Sequence, residues 1–141
     1  QGSEVRAFID RGAFAVGIDL NPGRKNRHVV VGDFHDLQFA EGSVDWVYTN
    51  SLDHAFDLDR ILGEVRRVLK PDGGFIVEAN VSAEEGAAPA GPYEATVWKG
   101  AGPLLEVLER NGFRVESRQP FERPWVGEQF TLRKEGAAPA P

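Results

Sequence analysis

The chain has 141 residues, of which 41% are apolar, and a formal net charge of −6. That apolar fraction belongs to an ordinary globular domain, and the acidic balance argues against a broad nucleic-acid-binding face, which needs clustered Lys and Arg. The lack of cysteine excludes thiolate catalysis, disulfides and thiolate-held metals, and no apolar run is long enough to span a membrane, so the expected location is the cytoplasm.

Gly2-Ser3 opens a predicted helix over Glu4–Arg11, with Val5, Phe8, Ile9 and Ala13 as its apolar stripe. Phe14-Ala-Val-Gly-Ile18 then runs into a lone acid, Asp19, and Asn21-Pro22-Gly23 breaks the chain. A run this short and apolar predicts a strand buried on both faces. Asp19 stands at its carboxyl end, where open α/β sheets bind their ligands, and a carboxylate there can accept hydrogen bonds from both hydroxyls of a ribose. Glycine turn, helix, strand and acid in that order lay out one half of a nucleotide-binding fold. The chain holds no Met and starts at Gln1, and its first helix needs a sheet to pack on. The expectation is therefore a strand and a fuller glycine loop upstream.

Arg24-Lys25-Asn26-Arg27-His28 is the nearest approach to a basic patch and reads as solvated loop charge. His28–Val31 is a second predicted strand, ended by Gly32-Asp33-Phe34. Val44–Thr49 is a third, with Asp45 as strand entry and Trp46 as core. Leu58, Ile61, Leu62, Val65, Val68 and Leu69 recur at helical spacing, with Asp57 as N-cap. Lys70-Pro71-Asp72-Gly73-Gly74 ends that helix by barring its continuation, and Phe75–Ala79 is a fourth strand. The Gly-, Ala-, Pro- and Glu-rich stretch Ser82–Thr96 is read as a long loop. Pro103–Asn111 is a further helix, with Gly112 placed to turn the chain. Phe113–Arg118 and Glu128–Arg133 alternate like a half-exposed antiparallel pair, and residues 135–141 read as a disordered tail. The expected fold is α/β: one domain over residues 1–134, a doubly wound, mostly parallel sheet with an antiparallel C-terminal edge.

Gly2-Ser3, Val16-Gly17-Ile18-Asp19, Gly32-Asp33-Phe34, Ser43-Val44-Asp45-Trp46-Val47 and Glu64-Val-Arg-Arg-Val-Leu-Lys-Pro-Asp-Gly-Gly74 fall in one order. In that order the chain resembles the class I S-adenosylmethionine-dependent methyltransferases, most specifically in its Leu-Lys-Pro-Asp-Gly-Gly phrase. The resemblance implies S-adenosyl-L-methionine as cofactor and a Rossmann-like fold. It gives Asp19 to the ribose and Asp33 to the adenine, with Phe34 beside it as an apolar wall or, equally, a core residue. It leaves Gly2 as the remnant of the loop that contacts the methionine portion. It adds Leu20, Asn50 and Ser51 to the cofactor contacts. The Asn50–Phe56 loop would face the sulfonium and the acceptor, with His54 as a candidate base and Asp53 as a second; a polar loop capping the next helix would look the same. His28 and His35 are less well suited, and no His/Asp/Glu spacing matches a metal site. The resemblance also implies that the absent first strand lies between the strands ending at Asp19 and Thr49, so those two strands should not pair.

The leading reading is methyl transfer to a small-molecule acceptor, with no nucleic acid or membrane partner and with homo-oligomer formation left open. A nicotinamide-dependent oxidoreductase would also explain Asp19, but not Gly32-Asp33-Phe34 or the final strand pair. A non-catalytic interaction module of the same fold is the third class. Tyr93, Trp98, Phe121 and Trp125 could line an acceptor pocket, or serve as core or a dimer contact.

Overall fold

The computed structural model describes residues 2–82, 98–99, 101–123 and 126–136. The chain divides into two compact units, Gln1–Gln38 and Phe39–Pro141.

In the first unit, helix α1 (Ser3–Asp10) leads to strand β1 (Gly17–Asp19), which pairs in parallel with β2 (Val29–Val31). Gly2, with φ of 92°, takes a left-handed conformation that a side chain would strain, and its carbonyl accepts the Arg6 N–H at 3.0 Å. Gly17 serves close approach instead. A Cβ there would lie 2.7 Å from Val5 Cγ2 and 2.9 Å from Val29 Cγ2, so the glycine lets α1 rest directly on the strand pair.

This strand pair departs from the expectation of burial on both faces. Regular pairing begins only at Gly17, Phe14 is fully exposed, and Val29 is the one buried apolar residue among those described in the unit. A two-stranded ribbon carrying one helix buries little of either face, and Val30 and Val31 stay exposed beside the buried Val29.

In the second unit, β3 (Val44–Thr49), β4 (Leu69–Ala79), β7 (Phe113–Phe121) and β8 (Gly127–Lys134) form a sheet in the order β3-β4-β8-β7. β3 runs parallel to β4, while β8 pairs antiparallel with both β4 and β7. The expected antiparallel C-terminal edge is thus present on an α/β sheet. β1 and β3 fall in separate sheets. Helix α2 (Leu58–Val68) packs on β4, and α3 (Gly102–Arg110) packs on β7. The apolar stripe of α2 buries Ile61, Leu62, Val65 and Val68, and α3 contributes Leu104 and Leu108. They meet a sheet face built of Phe75, Val77, Phe113, Phe130 and Leu132, all fully buried. Each such side chain stabilises the fold by about 1.5–3 kcal/mol.

Two expectations in this unit need correction. Lys70–Gly74 is not a plain turn, because β4 already starts at Leu69, opposite Val44, and the register then shifts to set Gly74 opposite Trp46. The residues between are taken up in a bulge; a Cβ on Gly73 would come within 2.9 Å of the Lys70 carbonyl oxygen. Nor does Trp46 join the core. Strand side chains alternate, so with neighbouring Val47 opposite buried Phe75, Trp46 takes the other face. There its indole lies where a Cβ on Gly74 would be, with the Arg133 guanidinium 4.7 Å above the ring.

Of the predicted 82–96 loop only Ser82 is described, and it ends a short strand. Val81–Ser82 (β5) pairs in parallel with Trp98–Lys99 (β6), and residues 83–97 lie outside the described set. Where the second unit ends, Lys134 Nζ donates to the Leu69 carbonyl at 2.9 Å and Arg66 Nη2 donates to the Glu135 carbonyl at 2.7 Å. Partial burial, with the Arg66 charge nearby, holds the Lys134 ammonium below the usual lysine range. Residues 137–141 of the predicted tail lie outside the described set.

Candidate functional site

Within the first unit, β1 and β2 run parallel with Asp19 opposite Val31, so both strands close at one edge. The Gly32 N–H donates to the Asp19 carbonyl at 3.1 Å, extending the ladder to that edge. Asp19 ends β1 half-buried, and its Oδ1 accepts the Asn21 N–H at 2.8 Å. Leu20 follows it and is exposed. Asp33 comes two residues after β2 ends. Its Oδ1 accepts the His35 backbone N–H at 2.8 Å and lies 2.8 Å from His35 Nδ1. The Asp33 carboxyl side chain is 46% exposed and that of His35 only 14%. Phe34 is half-buried and meets the His35 ring edge-on, centroids 5.1 Å apart.

Asp19, Leu20, Asp33 and Phe34 therefore share the carboxyl edge of one strand pair, although the chain separates the two acids by a full turn and strand. Gly2 sits elsewhere in the unit: a Cβ on it would meet Val29 and Asn26, at the end of β2 opposite Asp33. The Asp33–His35 contact was missed in the sequence, which set His35 aside. The signal was present in the Asp-x-His spacing, because an aspartate commonly accepts from the backbone N–H two residues on.

In the second unit, the chain leaves β3 at Thr49, whose Oγ1 accepts the Ser51 N–H at 3.1 Å. Ser51 Oγ donates to Asn50 Oδ1 at 3.0 Å. A 3-10 turn over Leu52–His54 follows, and it packs on β4. Leu52 and Ala55 are buried and anchor the loop, while Asn50 and Phe56 are exposed and Asp53 is half-buried. The side chain of His54 lies outside the described set. Asp57 caps α2 by accepting the Arg60 N–H at 3.1 Å, so the capping role does not fall to Asp53. Sequence reasoning also missed a polar group on the sheet: Glu78 accepts from Tyr48 Oη at 2.7 Å and from Gln129 Nε2 at 2.9 Å. Those residues come from three strands, and only the register brings them together. Tyr93, Trp125 and the side chain of Trp98 lie outside the described set, while Phe121 ends β7 half-buried.

Among the described residues, no group of three or more His, Asp or Glu side chains is arranged to hold a metal ion. No helix of the described residues is long and apolar enough to cross a membrane.

Parallel strands closing at an acid-bearing edge, with helices packed on an α/β sheet, define a Rossmann-like architecture. Residues 1–77, more than half of the chain, match the methyltransferase domain family, and the chain belongs to it. Over 52 residues it is 42% identical to a malonyl-[acyl-carrier protein] O-methyltransferase of Methylovorus, a match covering 36% of this chain and 18% of that relative. The matched stretch is thus less than a fifth of the curated relative's length. Among solved structures, the chain is similar to 1,6-didemethyltoxoflavin-N1-methyltransferase of Burkholderia thailandensis, crystallised with 1,6-didemethyltoxoflavin and S-adenosylhomocysteine. That likeness has a TM-score of 0.74, with 21% identity over 95% of this chain and 67% of the other. It is similar as well to an S-adenosylmethionine-dependent methyltransferase of Mesorhizobium loti, with a TM-score of 0.70 and 19% identity over 94% of this chain and 86% of the other. These two likenesses establish the fold.

Proposed function

We propose that the chain is the methyltransferase domain of an enzyme that moves a methyl group from S-adenosyl-L-methionine to a small-molecule acceptor in the cytoplasm. The observation that carries this reading is the pair of half-exposed acids, Asp19 and Asp33, at the carboxyl edge of two parallel strands in a chain of this family. We read residues 1–134 as one domain.

The acceptor set suits an adenosine. Asp19 has one oxygen oriented by its own Asx turn, and the carboxylate accepts from the ribose hydroxyls. Asp33 accepts from the exocyclic amine of adenine, and Phe34 supplies an apolar face beside the base. The bound cofactor supplies an electrophilic methyl group on a sulfonium. The protein's part is then to align the acceptor with that methyl and take the proton the acceptor loses. In the second unit, the family resemblance makes Asn50 and Ser51 candidates for the methionine end and His54 or Asp53 candidates for the base.

Calorimetric titration of the chain with S-adenosylmethionine, and in parallel with NAD, tests the reading. Saturable binding of the first and none of the second is expected. Binding of NAD alone would transfer the acids to a nicotinamide cofactor and overturn the proposal.

A further inference from the structure

The feature that the cofactor assignment leaves unused is His35. Its ring is mostly covered and lies 2.8 Å from a carboxylate that also accepts the same residue's backbone N–H. Asp33 is acceptor-only when ionised, so His35 Nδ1 must carry the proton to make the contact. The imidazole is therefore fixed as a donor at Nδ1. Its edge-on packing against Phe34 holds the ring plane, so the three consecutive residues Asp33, Phe34 and His35 constrain one another.

We infer that His35 is a positioning residue for purine recognition: it locks the Asp33 carboxylate in the orientation that selects adenine by its exocyclic amine. The inference rests on the assignment of Asp33 to adenine. A carboxylate at the end of a strand, 46% exposed, otherwise rotates about its side-chain bonds and must be ordered when ligand binds. Two donors from one residue remove that freedom beforehand, which tightens binding by preorganisation without His35 touching the ligand. A histidine that merely filled space would leave base selectivity unchanged on replacement.

The test compares S-adenosylhomocysteine with its 6-deamino analogue, in which purine replaces adenine, by calorimetry on the intact chain and three variants. The parent should prefer the adenine compound, and Asp33→Asn should lose most of that preference. His35→Phe keeps a ring against Phe34 but has no N–H, and it should lose roughly tenfold in affinity for S-adenosylhomocysteine with little change for the analogue, the size expected for a hydrogen bond to a charged group. His35→Gln, which restores a donor, should recover part of the preference. If the parent and Asp33→Asn behave as stated while His35→Phe keeps the full preference, His35 has no positioning role and the adenine assignment stands. If the parent binds both compounds equally, the adenine assignment fails and this inference falls with it. Circular dichroism of each variant identifies a folding defect, and His35→Gln then carries the test.

Discussion

The two units spend their residues differently. The segment from Phe39 onward buries two helix stripes and a sheet face, with Phe75, Phe113, Phe130, Leu62, Leu104 and Leu132 all at 0% exposure. The segment up to Gln38 buries Val29 alone among its described apolar residues, yet it presents two acids at one strand edge. The lesson is that the placement of these two acids does not depend on a large core in their own unit. It depends on short-range hydrogen bonds, Asn21 to Asp19 and His35 to Asp33, that orient each carboxylate from its own neighbours.

Substitutions can break or sharpen that contrast. The largest effect is expected from Phe75→Ala, which empties a site packed 5.2 Å from the Phe113 ring; chemical denaturation should show a loss of about 3–5 kcal/mol. Asp19→Ala should leave the circular dichroism spectrum intact and weaken S-adenosylmethionine binding by about 1.5–3 kcal/mol, as bonds to a charged group are lost. Unchanged affinity in a folded variant would remove the ribose assignment. Phe34→Ala should reduce affinity for S-adenosylhomocysteine by roughly 0.5–1.5 kcal/mol if its ring stacks beside the base. An equal loss of unfolding free energy, with affinity unchanged, would mark Phe34 as structural.

The smallest effect is expected at Asp59. Hydrogen bonds from Asn111 and Arg110 hold its carboxyl below the usual range, so the folded state binds its proton less readily than the unfolded chain. The stabilisation is complete above the unfolded value and fades as pH falls through the folded one. Asp59→Asn should flatten that acid limb of a melting-temperature profile slightly, because the pair is exposed and screened.

The helices α2 and α3 were legible to within a residue or two, because burial against a sheet imposes a 3.6-residue period that composition cannot imitate. The C-terminal strand pair was legible from alternation. Its length was not, since strands extend as far as their partners pair, and β7 runs on to Phe121 opposite Gly127. Leu-Lys-Pro-Asp-Gly-Gly looked like a stop because Pro and two Gly punctuate most sequences. A bulge uses the same residues, and the pairing of Trp46 with Gly74 depends on a strand some 25 positions away in the chain, as the Lys70–Asp45 ion pair also does. The two acids of the candidate site could be read from their position after apolar runs. The partners that orient them, and the Tyr48–Glu78–Gln129 group, depend on register or on local turn geometry.

The Lys134–Leu69 and Arg66–Glu135 hydrogen bonds tie the last turn of α2 and the residue after it to the end of β8 and the residue beyond, across 65 and 69 positions of sequence. Carbonyls at a helix end are usually satisfied by the next few residues. Here the Leu69 carbonyl, just past the helix, is met by Lys134 of a late strand, which makes the helix terminus a long-range contact despite its local appearance. Such contacts form only after a large loop has closed, and they carry the entropy cost that slows non-local pairing. Amides in the final turn of α2 should consequently exchange with solvent at the rate of the β8 amides, as one cooperative unit, rather than fraying independently in the manner of an ordinary helix end.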